Sequence, residues 1–215
     1  MKRLIACLLT LGLTMVALTG CGSRGGNTEA TPEPVATVEV TPEPTPVPTP
    51  VPVVDIADYE YYYITNSTLG VSFKYPSHWI NSPGRSTISY VEPVNPGETP
   101  ARIAVTSKSV SSRTDDKKVR EQLEYFLTLV QTEYNSYIPG EFKEDVAIME
   151  TTGIRQKYTA RDVDTGELIT GYVLMCYVKS ARRIYMLHFT APSRRYDDLS
   201  VIIDVIRDSM TTTNT

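Results

Sequence analysis

Cys21 has the densest chemical context in this chain. It follows Leu18-Thr19-Gly20 and precedes Gly22-Ser23. Small residues ahead of a cysteine let the backbone lie extended in a peptidase site, and a thiol placed there can be alkylated with diacylglycerol before cleavage. The residues upstream have the order such processing needs. Met1-Lys2-Arg3 is positive, and Leu4 to Leu18 is apolar apart from Thr10, Gly12 and Thr14. This run is too short and too interrupted to span a bilayer comfortably as a mature helix. The pattern predicts a lipoprotein signal peptide over residues 1–20 and lipidation at Cys21. Two or more acyl chains anchor a protein stably, because each buried methylene contributes about 0.8 kcal/mol. The expected address is the extracytoplasmic face of a bacterial membrane, reached through lipid.

The remaining candidates for chemistry are sparse. Cys7 leaves with the signal, and Cys176 is then the one unmodified thiol, so no disulfide can form within a mature chain. Cys176 stands on an apolar run and reads as an inert buried thiol. The two histidines, His78 and His188, fall in a turn and on a core strand, and no G-x-S-x-G accompanies them. Structural roles are expected for both. Without clustered Cys and His there is no zinc site. Asp162-Val163-Asp164-Thr165-Gly166-Glu167 opens like a calcium loop, but its glycine is fifth instead of sixth and Val173 stands at position twelve. A tight turn is the better reading, with Gly166 at positive φ. No catalytic residue, metal or cofactor is expected.

Tyrosine is the remaining resource, with fourteen copies against four phenylalanines. Tyr59, Tyr61, Tyr62 and Tyr63 cluster where the globular part begins. Strand alternation places Tyr61 and Tyr63 on one face and Tyr62 on the other. Exposed tyrosines suit glycan or protein contacts, being rigid, amphipathic and poor in rotamers. Tyr61 and Tyr63 are therefore the candidate binding pair; the competing reading is an edge strand whose aromatics cover the core.

Between anchor and domain the composition changes. Residues 21–58 carry the lipidated cysteine and a Pro/Thr-rich tether, with more than half of the fifteen prolines, from Thr31-Pro32-Glu33-Pro34 to Val51-Pro52. Proline fixes φ and removes donors, so helix and central strand are excluded. Polyproline II at about 3.1 Å per residue would hold a domain up to roughly 100 Å from the lipid. Residues 59–215 read as one globular domain with 18 basic and 19 acidic side chains. It has no basic stripe, which argues against a nucleic-acid partner.

The domain reads as strands, helix, strands, helix. Strands are expected over 61–64, 71–75 (Val71, Phe73 and Tyr75 alternating with polar residues), 87–91 and 102–108. A helix follows, N-capped by Thr114, with a stripe of Val119, Leu123, Phe126, Leu127, Val130 and Tyr134. Pro139-Gly140 is expected to end that region, followed by strands over 144–150, 154–163, 168–178 and 184–190. The last two are apolar on both faces and must be covered on both, so they are the central hairpin of a sheet between helical layers. A closing helix runs over about 195–210, with Leu199, Ile202, Ile203, Ile206 and Met210 inward.

Two segments resemble the PsbP-like family. Leu69-Gly70-Val71-Ser72-Phe73-Lys74-Tyr75-Pro76-Ser77-His78-Trp79 is similar to its opening hairpin, and Arg183–Pro192, Tyr196 and Asp208-Ser209-Met210 to its closing strand and helix. Met210 stands where phenylalanine is usual. The resemblance covers most of residues 60–212 and implies an α/β fold of the α+β type, an antiparallel sheet in an α/β/α sandwich. The family includes a photosystem II extrinsic subunit, a Ran-binding transport factor and bacterial lipoproteins, and is not typically enzymatic. Such a spread carries fold and not function. The expectation is a cell-envelope lipoprotein with a non-enzymatic domain that binds an envelope protein or serves as an accessory subunit. The alternative is a glycan- or small-ligand-binding module using the tyrosine face.

Overall fold

The computed structural model describes residues 54–82, 84 and 86–213. The signal peptide, Cys21 and the tether as far as residue 53 lie outside the described residues. Described chain begins with a 3-10 turn, Ile56–Asp58, capped by the Asp55 carboxylate, which accepts from the Ala57 N–H. There follow β1 (Tyr61–Asn66), β2 (Val71–Pro76), β3 (Ile80–Asn81), β4 (Thr87–Val91), β5 (Arg102–Ser109) and α1 (Asp116–Glu133). Then come β6 (Asn135–Ile148), β7 (Thr151–Arg161), β8 (Leu168–Val178), β9 (Arg183–Pro192), α2 (Tyr196–Ser209) and β10 (Thr211–Thr212). Seven strands form one antiparallel sheet in the order β3-β4-β5-β9-β8-β7-β6.

The doubly apolar hairpin β8–β9 lies at the centre of this sheet, where both faces are buried. On one face Val173, Met175, Ile184 and Met186 pack under Val119, Leu123 and Val130 of α1. On the other, Leu174, Cys176, Leu187 and Phe189 meet Leu199, Ile202 and Ile206 of α2. Helices therefore cover both faces, as the strand composition requires.

One layer departs from the expected sandwich. The β1–β2 hairpin does not join the main sheet. It pairs with β10 in a three-stranded sheet of order β1-β2-β10, and its Val71 and Phe73 share the core under α2. β10 is two residues long and carries no sequence signal of its own. On the opposite side α1 lies against β8 and β6. Beyond it the outward residues of β4 and β5 (Thr87, Ser89, Ala104 and Thr106) are only half-buried, while Ile88, Tyr90, Ile103 and Val105 between them are buried. Among the described residues, no helix covers this outer face of β4 and β5.

Three local expectations are corrected. The N-cap of α1 is Asp115, whose carboxylate accepts from the Lys118 N–H, and not Thr114. Pro139-Gly140 ends nothing: β6 runs through both residues. It is the sheet's edge, where a proline costs no ladder bond. Its register against β7 shifts three times, between Asn135 and Ile138, Pro139 and Phe142, and Lys143 and Val146, each time with an extra residue on β6. These are bulges, which strengthen twist and spoil an edge for further pairing. The third correction follows β6. Met149 (φ 52°) and Glu150 (φ 59°) form the hairpin turn to β7, both at positive φ as a type I′ turn demands, without the usual Asn or Gly.

Candidate functional site

The two histidines sit far from each other in role and surroundings. His188 lies on β9 beneath α1. Across the sheet, Tyr158 of β7 lays its ring over Gly171 of β8 and brings its hydroxyl to within 2.8 Å of His188 Nε2. A Cβ at Gly171 would fall 2.0 Å from Tyr158 Cζ, so the ring occupies the space a side chain would need. Phe126 of α1 closes the assembly edge-on at 5.1 Å. Burial depresses the His188 pKa to about 4, leaving a neutral imidazole. This is a packed polar pair that ties three strands together.

His78 follows Pro76 at the end of β2, and its ring meets Tyr59 edge-on with centroids 4.3 Å apart. The Cys176 thiol is buried in the α2-side core, and burial pushes its pKa up to about 12. Asp162 forms the expected turn: its carboxylate accepts from the Asp164 and Thr165 N–H groups, and Gly166 has φ 70°. Among the described residues no three His, Cys, Asp or Glu side chains converge in a metal-ligating group. Among them also, no helix is long and apolar enough to cross a membrane.

The tyrosine cluster is divided by its strand. Tyr62 pairs with Tyr75 across β1–β2 and meets it edge-on at 6.3 Å; Tyr75 stacks on Tyr90 at 3.9 Å. Tyr61 packs partly against the core. Tyr63 lies opposite Lys74 with its hydroxyl 3.3 Å from Thr211 Oγ1. Tyr62 and Tyr63 are each 56 % exposed, on opposite faces of the small sheet.

A second apolar surface has no counterpart in the sequence reading. Tyr125 and Leu129, one turn apart on α1, are 62 % and 44 % exposed. They flank a groove of about 140 Å³ between α1 and β5, floored by Met175, Ile184 and Met186. The stripe reading located the buried face of α1 and left these two positions on the other side. Thr106 and Lys108 of β5 form its other wall. Methionines adapt to varied partners, and contiguous exposed apolar side chains on a soluble domain mark contact surfaces.

No model of a known protein family and no curated relative matches the chain. Solved structures do. Cyanobacterial PsbP from Synechocystis sp. PCC 6803 aligns with a TM-score of 0.52 at 10 % identity, over 75 % of this chain and 98 % of that one. The Ran-binding protein Mog1p of Saccharomyces cerevisiae gives 0.49 at 8 %, over 73 % and 97 %. LpqN of Mycobacterium tuberculosis, involved in cell envelope biogenesis, gives 0.47 at 15 %, over 76 % and 100 %. The last two are looser likenesses. With its antiparallel sheet between helical layers and its opening hairpin ending in Tyr75-Pro76, the globular part of this chain has the PsbP-like fold.

Proposed function

We propose that this chain is an exported lipoprotein whose PsbP-like domain, held off the membrane on a proline-rich tether, docks another protein of the cell envelope and performs no reaction of its own. The ordered signal, the small residues before Cys21 and the tether support the address. The placement of the reactive groups supports a role without catalysis. One imidazole is committed to a phenol, the other stands against a tyrosine ring, and the thiol is buried and held protonated.

The observation that carries the docking role is the joint exposure of Tyr125 and Leu129 beside a methionine-floored groove, next to a sheet face that no helix covers among the described residues. A partner laying an apolar helix or hairpin along Tyr125 and Leu129 would bury the groove. Chemical cross-linking on intact cells, followed by purification of the chain, tests this. Wild type should capture a defined protein that Tyr125→Ser with Leu129→Ser no longer captures, at unchanged thermal stability. Capture of the same proteins by both would refute the reading.

A further inference from the structure

A polar cleft at the start of the domain is independent of the docking surface. Its volume is about 220 Å³. It is built from three places in the chain: Tyr59 and His78 beside β1 and β2, the loop after β4 carrying Glu92, Asn95 and Glu98, and Arg195 just ahead of α2. Its centre is a fixed fork. Arg195 Nη2 donates to Glu92 Oε1 at 2.6 Å and Nη1 to Oε2 at 3.1 Å; the Ala101 N–H donates to the same Oε2 at 3.1 Å. Glu92 is buried, its side chain 7 % exposed, whereas that of Arg195 is 32 % exposed. One edge of the guanidinium is thus consumed in holding it, and the side chain remains partly exposed in the cleft lining.

The ligand class follows from charge, size and lining. Two arginines, Arg194 and Arg195, and two glutamates, Glu92 and Glu98, line the cleft, so its formal charge sums to zero, and both arginines are already paired, Arg195 with Glu92 and Arg194 with Glu167. A site for a simple anion or cation would carry an excess of one sign. The volume lies below the roughly 300–1,000 Å³ of sites for drug-sized ligands and suits an occupant of about one ring. The lining alternates donors and acceptors (Arg195, Glu98, the His78 imidazole, whose pKa burial lowers) with the carbon surfaces of Tyr59, Pro93 and Val94. We infer that this cleft binds a neutral pyranose ring, whose hydroxyls each donate and accept while its C–H faces are apolar.

Saturation-transfer NMR on the full chain in detergent, with glucose, galactose, mannose and N-acetylglucosamine as separate probes at millimolar concentration, tests the inference. Ring-proton signals are expected from at least one sugar. They should weaken at least tenfold in Arg195→Lys, which keeps the charge and loses the fork. Because that change disturbs a buried pair, His78→Phe is the second variant; it keeps the ring against Tyr59 and should weaken the signal at least threefold. Tyr125→Ser, on the docking surface, should leave it unchanged. Silence from all four sugars, signals unaltered in both cleft variants, or binding of acetate or free glycine without any sugar would each overturn the assignment. None of these results bears on the docking surface.

Discussion

Gly171→Ala tests the packing of the α1-side core at a single atom. The added Cβ would lie 2.0, 2.2 and 2.6 Å from three carbons of the Tyr158 ring, where contacts below 3.0 Å are essentially never found. Tyr158 is completely buried and pinned at its tip by His188, so the ring cannot rotate clear without giving up that bond. Three contributions set the magnitude. Overpacking costs about 1–3 kcal/mol. The lost hydrogen bond costs about 1 kcal/mol. Replacing a strand glycine with alanine returns about 0.5–1 kcal/mol of backbone entropy. The net expectation is a destabilisation of about 1–3.5 kcal/mol, read as a lower urea midpoint at constant slope. The decisive comparison is a double-mutant cycle. Tyr158→Ala alone should cost about 3–5 kcal/mol, as large-to-small aromatic changes in cores do. In that background Gly171→Ala should cost nothing, because its Cβ fills vacated space. Additive costs in the double variant would refute the proposed contact.

Further expectations follow from other sites. His188 has a folded-state pKa of about 4 against an ordinary value of 6.5. As pH falls from 6.5 towards 4 only the unfolded chain takes up this proton, so stability should drop by at most about 3 kcal/mol and then level. Urea midpoints at stepped pH should show a shallower decline in His188→Gln over that window. Glu150→Gly should stabilise by about 1 kcal/mol, because its exposed position holds φ at 59°; thermal melting checks it, and a loss of stability would contradict the turn. Arg195→Met should cost about 3 kcal/mol or more by leaving the buried Glu92 carboxylate unpaired. Cys176 should resist iodoacetamide at pH 8 until urea unfolds the domain, since its thiol is buried and held protonated.

Sequence patterns revealed those parts of the fold that local periodicity controls. Alternation in Val71–Tyr75 and the apolar stripe of α1 identified the faces that are in fact buried. The two-sided apolar runs over 168–178 and 184–190 identified the central strands, because composition there records burial on both faces. Edges are less legible. Pro139 and Gly140 signal a break in any interior element, yet an irregular edge strand tolerates both. The Met149-Glu150 turn uses positive φ without turn residues, so nothing local announces it. The candidate sites are hardest to foresee. Arg195 and Glu92 are 103 residues apart, and only the meeting of the loop after β4 with the start of α2 joins them. Tyr125 and Leu129 carry no signal beyond being apolar on the wrong side of a stripe. Their meaning depends on the groove they flank.

Metabolic labelling with an alkyne fatty acid, compared between wild type and Cys21→Ser, tests the central claim most directly. Wild type should take up the label and partition with membranes, and Cys21→Ser should do neither. Unlabelled wild-type protein, or identical fractionation of the two forms, would contradict a lipid-held domain presented outside the membrane.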